Sequence, residues 1–89
     1  MYLHIGGKTS VLVKDVLAIF DKASLRSSRS VRFFIRRMRQ EKKILGDDDE
    51  AVSYVFVCDE SGKEKLYCSP ISSLTLAKRS ERQHTVVFE

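Results

Sequence analysis

The side chains best placed for chemistry in this sequence are basic ones at helical spacing. Residues 26–43 hold eight arginines and lysines but only one acid, Glu41, so this stretch carries a charge of +7. On an α-helix, positions three and four apart share a face, and like charges there repel one another. A solvated helix face would usually mix signs, so an unrelieved row of cations favours an anionic partner such as nucleic-acid phosphates. We predict that double-stranded DNA is bound by this cationic row, which consists of Arg29, Arg32, Arg36, Arg39 and Lys43.

Four consecutive acids, residues 47–50, follow the basic stretch. They could bind a cation, but four contiguous acids cannot all point at one ion, and a solvated loop is the favoured interpretation. A further alternative is head-to-tail assembly, in which the acids of one subunit meet the arginines of the next. Under that alternative the chain is a protein-interaction or assembly module that does not bind nucleic acid.

Other reactive groups lack the spacing that chemistry requires. His4, His84, Cys58 and Cys68 are the only soft metal ligands, and none stands at CxxC or HxxxH spacing. The segment 6–9, Gly-Gly-Lys-Thr, lacks the first glycine of a phosphate-binding loop and predicts a hairpin turn. Neither cysteine has a base nearby in the sequence to activate it. We therefore predict a protein that is not an enzyme and that holds no metal or cofactor.

The length and composition of the chain set the scale of the fold. With 89 residues, 43% of them hydrophobic, and a formal net charge of +4, the sequence predicts one small domain over residues 1–89. No apolar run approaches the ~20 residues that cross a bilayer, and the N-terminus lacks the layout of a signal peptide. Two cysteines are too few for a disulfide framework. These features predict a cytoplasmic protein with no membrane association.

The element that must position the cationic row is a helix that runs to about Lys43. Apolar residues at 31, 34, 35 and 38 have the i, i+3, i+4, i+7 spacing of one buried stripe. Serines at 27, 28 and 30 are candidate N-caps, and Gly46 is the candidate stop. Phe33 lies off both the buried stripe and the middle of the cationic row. It is predicted either to contact another subunit or to be a partly exposed ring covered by arginine stems.

The remaining elements predict an α+β fold of antiparallel strands with a central basic helix and a C-terminal helix. Two or three short strands precede the basic helix, with a turn or bulge at residues 14–15. A hairpin is expected from 52–58 and 65–69, and a helix from about Pro70 to Ser80. That helix should bury Ile71, Leu74 and Ala77. Residues 81–89, with the apolar run 85–88, form an extra strand or a tail.

The hairpin gives an argument for self-association. If Val57 pairs with Leu66, both faces are apolar and Cys58 and Cys68 lie on opposite faces, so they do not form a disulfide. Two helices at most are available to cover the two faces, so a neighbouring subunit is expected to cover the remainder. The alternative is a sheet enclosed by its own two helices. The predicted oligomer interface consists of Phe33, Tyr54, Phe56 and Tyr67.

Three segments carry a family resemblance: YLHIG at 2–6, DVLAIFD at 15–21, and LYCSPISSLTLAKR at 66–79. Together they resemble the RemA/RemB family of small bacterial extracellular-matrix regulatory proteins, and the RemB branch more closely. The resemblance implies a LytTR-like subunit and a ring-like, DNA-binding homo-oligomer that regulates transcription of biofilm matrix genes. RemA-type members carry a DNA-contacting arginine pair in the loop after the central helix. The matching stretch here, residues 46–50, contains no arginine, so either the site has moved or this branch binds something else.

Overall fold

A five-stranded mixed sheet lies at the centre of the structure, a computed structural model that describes residues 1–80 and 86–88. In chain order the elements are β1 (Tyr2–Gly6), β2 (Thr9–Leu12), a 3-10 turn (Val13–Asp15), β3 (Val16–Asp21), α1 (Ser24–Ser27), α2 (Arg29–Gln40), β4 (Ile44–Leu45), β5 (Ser53–Cys58), β6 (Glu64–Ser69), α3 (Ser73–Ser80) and β7 (Val86–Phe88). The strand order is β4-β6-β5-β3-β7, and β1 and β2 form a separate antiparallel hairpin. The predicted α+β class is confirmed. The sheet is mixed because β4 runs parallel to β6 and β7 parallel to β3.

The central helix α2 begins after Ser28, one of its three candidate caps. The hydroxyl of Ser28 accepts the N–H of Val31 at 3.2 Å and so caps the free first turn. Val31, Ile35 and Met38 are buried, and the half-buried Phe34 completes the stripe against the sheet. The spacing of the apolar residues therefore orients the helix correctly, with the basic residues on the outer face.

The end of α2 differs from the prediction. The helix stops at Gln40, because Lys42 adopts a left-handed conformation with φ 59°. The N–H of Lys43 donates to the Met38 carbonyl at 2.9 Å and that of Lys42 to the Arg39 carbonyl at 3.1 Å. This is the hydrogen-bond pattern that usually closes a helix on a glycine. Gly46 is therefore not the stop, and Lys43 lies beyond the helix.

One face of the sheet packs against α2. The buried cluster there joins residues of α2 to the inward side chains of β3, β5 and β6: Ala18, Phe20, Val31, Ile35, Met38, Ala51, Tyr54 and Leu66. Phe34 lies between Phe20, at 5.4 Å between ring centroids, and Phe56, at 4.9 Å in an edge-on arrangement. Such aromatic pairs add specific geometry to the apolar burial, and they fix the rotation of α2 on the sheet.

The opposite face is covered by the β1–β2 hairpin and α3. The buried cluster on this side consists of Leu3, Ile5, Val11, Val13, Val16, Ile19, Val55, Val57 and Leu76. Contact with a neighbouring subunit stays a prediction, but the premise that at most two helices cover the two faces is wrong. It omitted the β1–β2 hairpin, whose apolar residues supply the cover that two helices alone would not.

The hairpin of β5 and β6 forms with a register one residue away from the predicted one. Phe56 pairs with Leu66, and Val57 pairs with Lys65. A one-residue slip exchanges the faces of a strand, so Leu66 joins Tyr54 and Phe56 on the α2 side. Cys58 and Cys68 consequently lie on the same side, not on opposite sides. Their strand partners, Glu64 and Tyr54, place them about 13 Å apart along the hairpin, and both cysteines are free.

The helix α3 starts later than predicted and buries a different face. The hydroxyl of Ser72 accepts the N–H of Thr75 at 3.2 Å and caps the helix, two residues after the predicted start at Pro70. Leu76 is fully buried, whereas Leu74 is 57% exposed and Ala77 is half-buried. The predicted burial of Leu74 is therefore wrong. A start at Ser73 turns positions 73, 76 and 80 toward the sheet.

The segment before α3 is held against β1. The Ser69 hydroxyl donates to the Ile5 carbonyl at 2.6 Å and accepts the N–H of Ile71 at 3.0 Å. A Cβ placed on Gly6, which has φ 130°, would lie 2.6 Å from Cδ of Pro70. Only glycine combines this backbone conformation with so close an approach. Gly6 thus permits the close contact between β1 and the segment that follows β6.

Residues 86–88 form a strand, which is one of the two predictions for the C-terminal segment, an extra strand or a tail. Residues 86–88 pair in parallel with 18–20 of β3, whereas Thr85 lies outside the described residues. No helix within residues 1–80 and 86–88 is long and apolar enough to cross a membrane.

Candidate nucleic-acid interface

The outer face of α2 carries three exposed arginines from the N-terminal part of the cationic row. Arg29, Arg32 and Arg36 line one shallow groove of about 270 Å³ together with Phe33. Within the residues that the structure describes, none of the three forms an ion pair with an acid. We refer to them as the open arginines. Their charge is available to a ligand.

Arg32 is held in place by the short helix α1. Its Nη1 donates to the Leu25 carbonyl at 2.7 Å and to the Arg26 carbonyl at 3.4 Å. These carbonyls lie in the last turn of α1, where a cation satisfies backbone acceptors that lack helical partners. The guanidinium is thereby oriented before any ligand binds, and Arg26 adds a further exposed cation beside it. Sequence patterns do not predict α1, because one helical turn has no periodicity to detect, and Arg26 lies outside the predicted cationic row.

Arg39 is engaged by the acidic loop of its own subunit. Its Nε and Nη2 donate to one oxygen, Oδ2, of Asp48 at 3.0 and 2.7 Å. The other oxygen, Oδ1, accepts the hydroxyl of Tyr54 at 2.6 Å. Burial alone would raise the pKa of Asp48, but the hydrogen bonds from Tyr54 and Arg39 outweigh it and the pKa is lowered. Asp48 is thus a fixed anion that neutralises Arg39.

Lys43 is also paired within the subunit. Its Nζ lies 3.0 Å from Oε1 of Glu41 and 3.3 Å from Oε1 of Glu64. The hydrogen bonds to Glu41 and then to Glu64 raise the pKa of Lys43. The predicted row of five cations is therefore divided: Arg29, Arg32 and Arg36 are open, while Arg39 and Lys43 stabilise the loop and strands that follow α2.

The acidic loop is neither uniform nor fully solvated. Asp47 accepts the backbone N–H groups of Asp49 and Glu50 at 3.1 and 3.4 Å and shapes a tight turn. That turn directs Asp48 inward. Across residues 1–80 and 86–88, no group of three or more His, Cys, Asp or Glu side chains is arranged to hold a metal ion. Head-to-tail assembly through the acids stays a prediction, although Asp48 is already paired within its subunit.

The predicted oligomer interface is only partly at the surface. Phe33 is 67% exposed. Phe56 and Tyr67 are half-buried, each against a core cluster. Tyr54 is 1% exposed, and burial together with its hydrogen bond to Asp48 raises the pKa of its hydroxyl. The assignment of Tyr54 to an interface is therefore wrong, because α2 packs on the face of β5 that carries its ring.

The half-buried thiol of Cys68 lies on the side of the sheet that packs against α2. Burial raises the pKa of this thiol to about 11. A thiol with that pKa is almost wholly protonated at neutral pH and is a poor nucleophile. Cys68 therefore acts as a small apolar side chain packed against the cluster under α2.

Comparisons with known proteins do not identify a relative. No family model matches the chain, and no curated protein or solved structure matches it either.

Proposed function

We propose that the protein is a non-catalytic, DNA-binding transcription regulator that contacts phosphates with Arg29, Arg32 and Arg36. The observation that carries the proposal is the open arginine set: three exposed guanidinium groups on one helix face without acidic partners in the described chain. Arg29 to Arg36 covers about 10 Å of helix axis at 1.5 Å per residue. That length equals about three 3.4 Å intervals between successive phosphates of one DNA strand, so three guanidinium groups can reach phosphates of the same strand.

The proposal includes the finer role that the family resemblance implies. In that role the protein is cytoplasmic, assembles as a ring-like homo-oligomer and regulates biofilm matrix genes. Three phosphate contacts per subunit give weak binding by themselves. Repeating them around a ring would raise the affinity by ~10²–10⁴ through effective concentration alone. Phosphate contacts carry little sequence information, so sequence readout by this face is expected to be weak.

A salt titration of duplex DNA binding tests the proposal. Three contacts predict that log K falls against log salt with a slope of about −2.7 per engaged subunit, compared with about −4.5 for five contacts. Arg32→Ala combined with Arg36→Ala should reduce affinity by roughly 10-fold or more on unrelated sequences and flatten the slope to about −1.

The matched control removes the same charge elsewhere. Lys8→Ala combined with Lys78→Ala changes two exposed lysines, one in the β1–β2 turn and one on α3, on the opposite side of the sheet from α2. This control should retain the wild-type slope. Absence of duplex binding at low salt, or an equal loss in both double variants, would contradict the proposal.

A further inference from the structure

Phe33 projects from the outer face of α2 and has no role in the core. Its side chain is 67% exposed, and neither buried cluster includes it. The adjacent Phe34, by contrast, packs between Phe20 and Phe56. The alternative in which arginine stems cover the Phe33 ring does not agree with this exposure. The ring is therefore free to contact a ligand.

Phe33 has exposed arginines on one side, whereas the arginine on its other side, Arg37, already contacts Phe34 and Glu41. Arg29 and Arg36, four residues before and three residues after it, share its helix surface, and Arg32 lines the same groove. Arg37, four residues after it, is turned away: its guanidinium carbon lies 5.5 Å from the Phe34 ring centroid, and its Nη1 lies 3.6 Å from Glu41. An apolar ring flanked by guanidinium groups that have no acidic partner among the described residues complements a flat base whose neighbouring phosphates are anionic.

We propose that Phe33 stacks on an unpaired nucleobase while the open arginines hold the phosphates beside it. The preferred ligand is then DNA that contains unpaired bases, such as a bulge or a single strand. In a fully paired duplex the base faces are covered by their neighbours, so the ring reaches only edges and sugars. Aromatic stacking tolerates any base, which agrees with the weak sequence readout expected of phosphate contacts. This inference rests on the proposed DNA-binding function.

Fluorescence anisotropy with three labelled probes of matched sequence tests the inference: a duplex of about 20 base pairs, the same duplex with a two-nucleotide bulge, and the single strand. We expect the wild-type protein to bind the bulged and single-stranded probes roughly 5- to 150-fold more tightly than the duplex, the range for one stacked base. Phe33→Ala should remove that preference and leave duplex affinity within about 3-fold. Phe33→Trp should retain it.

A control variant and light scattering separate base stacking by Phe33 from a nonspecific apolar contact and from a subunit contact. Leu74→Ala removes another exposed apolar side chain, on α3, and should change binding to none of the probes. Equal binding of wild-type protein to all three probes would overturn the stacking role while leaving the proposed function standing, whereas no binding to any probe at low salt overturns both. Light scattering adds a further check. If Phe33→Ala dissociates the oligomer and weakens binding to all three probes equally, the Phe33 side chain is a subunit contact and the stacking inference is wrong.

Discussion

Arg36 and Arg39 stand three residues apart on the same helix, yet they have different roles. Arg36 is exposed and faces the groove beside Phe33. Arg39 donates two hydrogen bonds to Asp48, which also holds the hydroxyl of Tyr54. The two ends of one cationic row thus differ because a loop folds back on only one of them. The number of basic residues on a helix face gives an upper limit to the charge that a ligand meets.

Removing the carboxylate of Asp48 should have the largest effect on stability. Asp48→Ala leaves the Tyr54 hydroxyl buried without its acceptor, and we expect a loss of about 1–3 kcal/mol in the free energy of unfolding. The ion pair itself adds little because both side chains are partly exposed, at 50% and 34%. Urea denaturation at neutral pH measures the change. Arg36→Ala should stay within about 0.5 kcal/mol of wild type.

Tyr54→Phe provides the matching control for this prediction. In the Asp48→Ala background the substitution removes the unsatisfied hydroxyl and should recover part of the lost stability. Equal destabilisation by Asp48→Ala and Arg36→Ala would mean that the two ends of the row do not differ in the way described.

Releasing Arg39 should have a smaller effect, on DNA affinity. Asp48→Asn keeps an oxygen for the Tyr54 hydroxyl but removes the charge that neutralises Arg39. We expect duplex affinity to rise by roughly 3- to 10-fold and the salt slope to steepen by about 0.9, which corresponds to one added phosphate contact. Asp49→Asn is the control with the same change in net charge, because Asp49 has no ion pair among the described residues. An identical rise in both variants would indicate a general charge effect.

The pH dependence of the Arg39–Asp48 pair is the smallest expected effect. The pKa of Asp48 is lowered in the folded protein, so its contribution is fully present above the unfolded value of about 3.9 and is lost as pH falls through the folded pKa. The stability difference between wild type and Asp48→Asn should therefore be constant above about pH 5 and shrink below about pH 4. We expect it not to exceed about 1 kcal/mol. A difference that grows on acidification would contradict this sign.

Sequence patterns predicted which helices and strands form better than they predicted where a helix ends or how two strands pair. The stripe Val31, Phe34, Ile35 and Met38 identified α2 because four residues agree with one helical period. Its end was mispredicted because Lys42 occupies a conformation that usually marks glycine, and a lysine gives no such signal. The hairpin register was wrong by one residue because it is set by the turn in which Asp59 accepts the N–H groups of Ser61 and Lys63.

The candidate site was predictable in its chemistry but not in its extent. Helical spacing alone placed Arg29, Arg32 and Arg36 on one face. The partner of Arg39 lies nine residues later, in a loop whose course depends on tertiary packing, so local periodicity could not assign it. The buried position of Tyr54 follows from the packing of α2 on its face of the sheet, a tertiary contact that local patterns do not assign.

The hydrogen bond between the Ser69 hydroxyl and the Ile5 carbonyl has a consequence for folding during synthesis on the ribosome. It joins residues 64 positions apart, and at 5–20 residues per second roughly 3–13 s separate their synthesis. Until β5 has been made and pairs with β3, the apolar side chains of β1 and β2 have no sheet to cover. The N-terminal hairpin is therefore the part of the nascent chain that depends longest on shielding from other exposed apolar surfaces, and its docking completes only when nearly the whole domain has been translated.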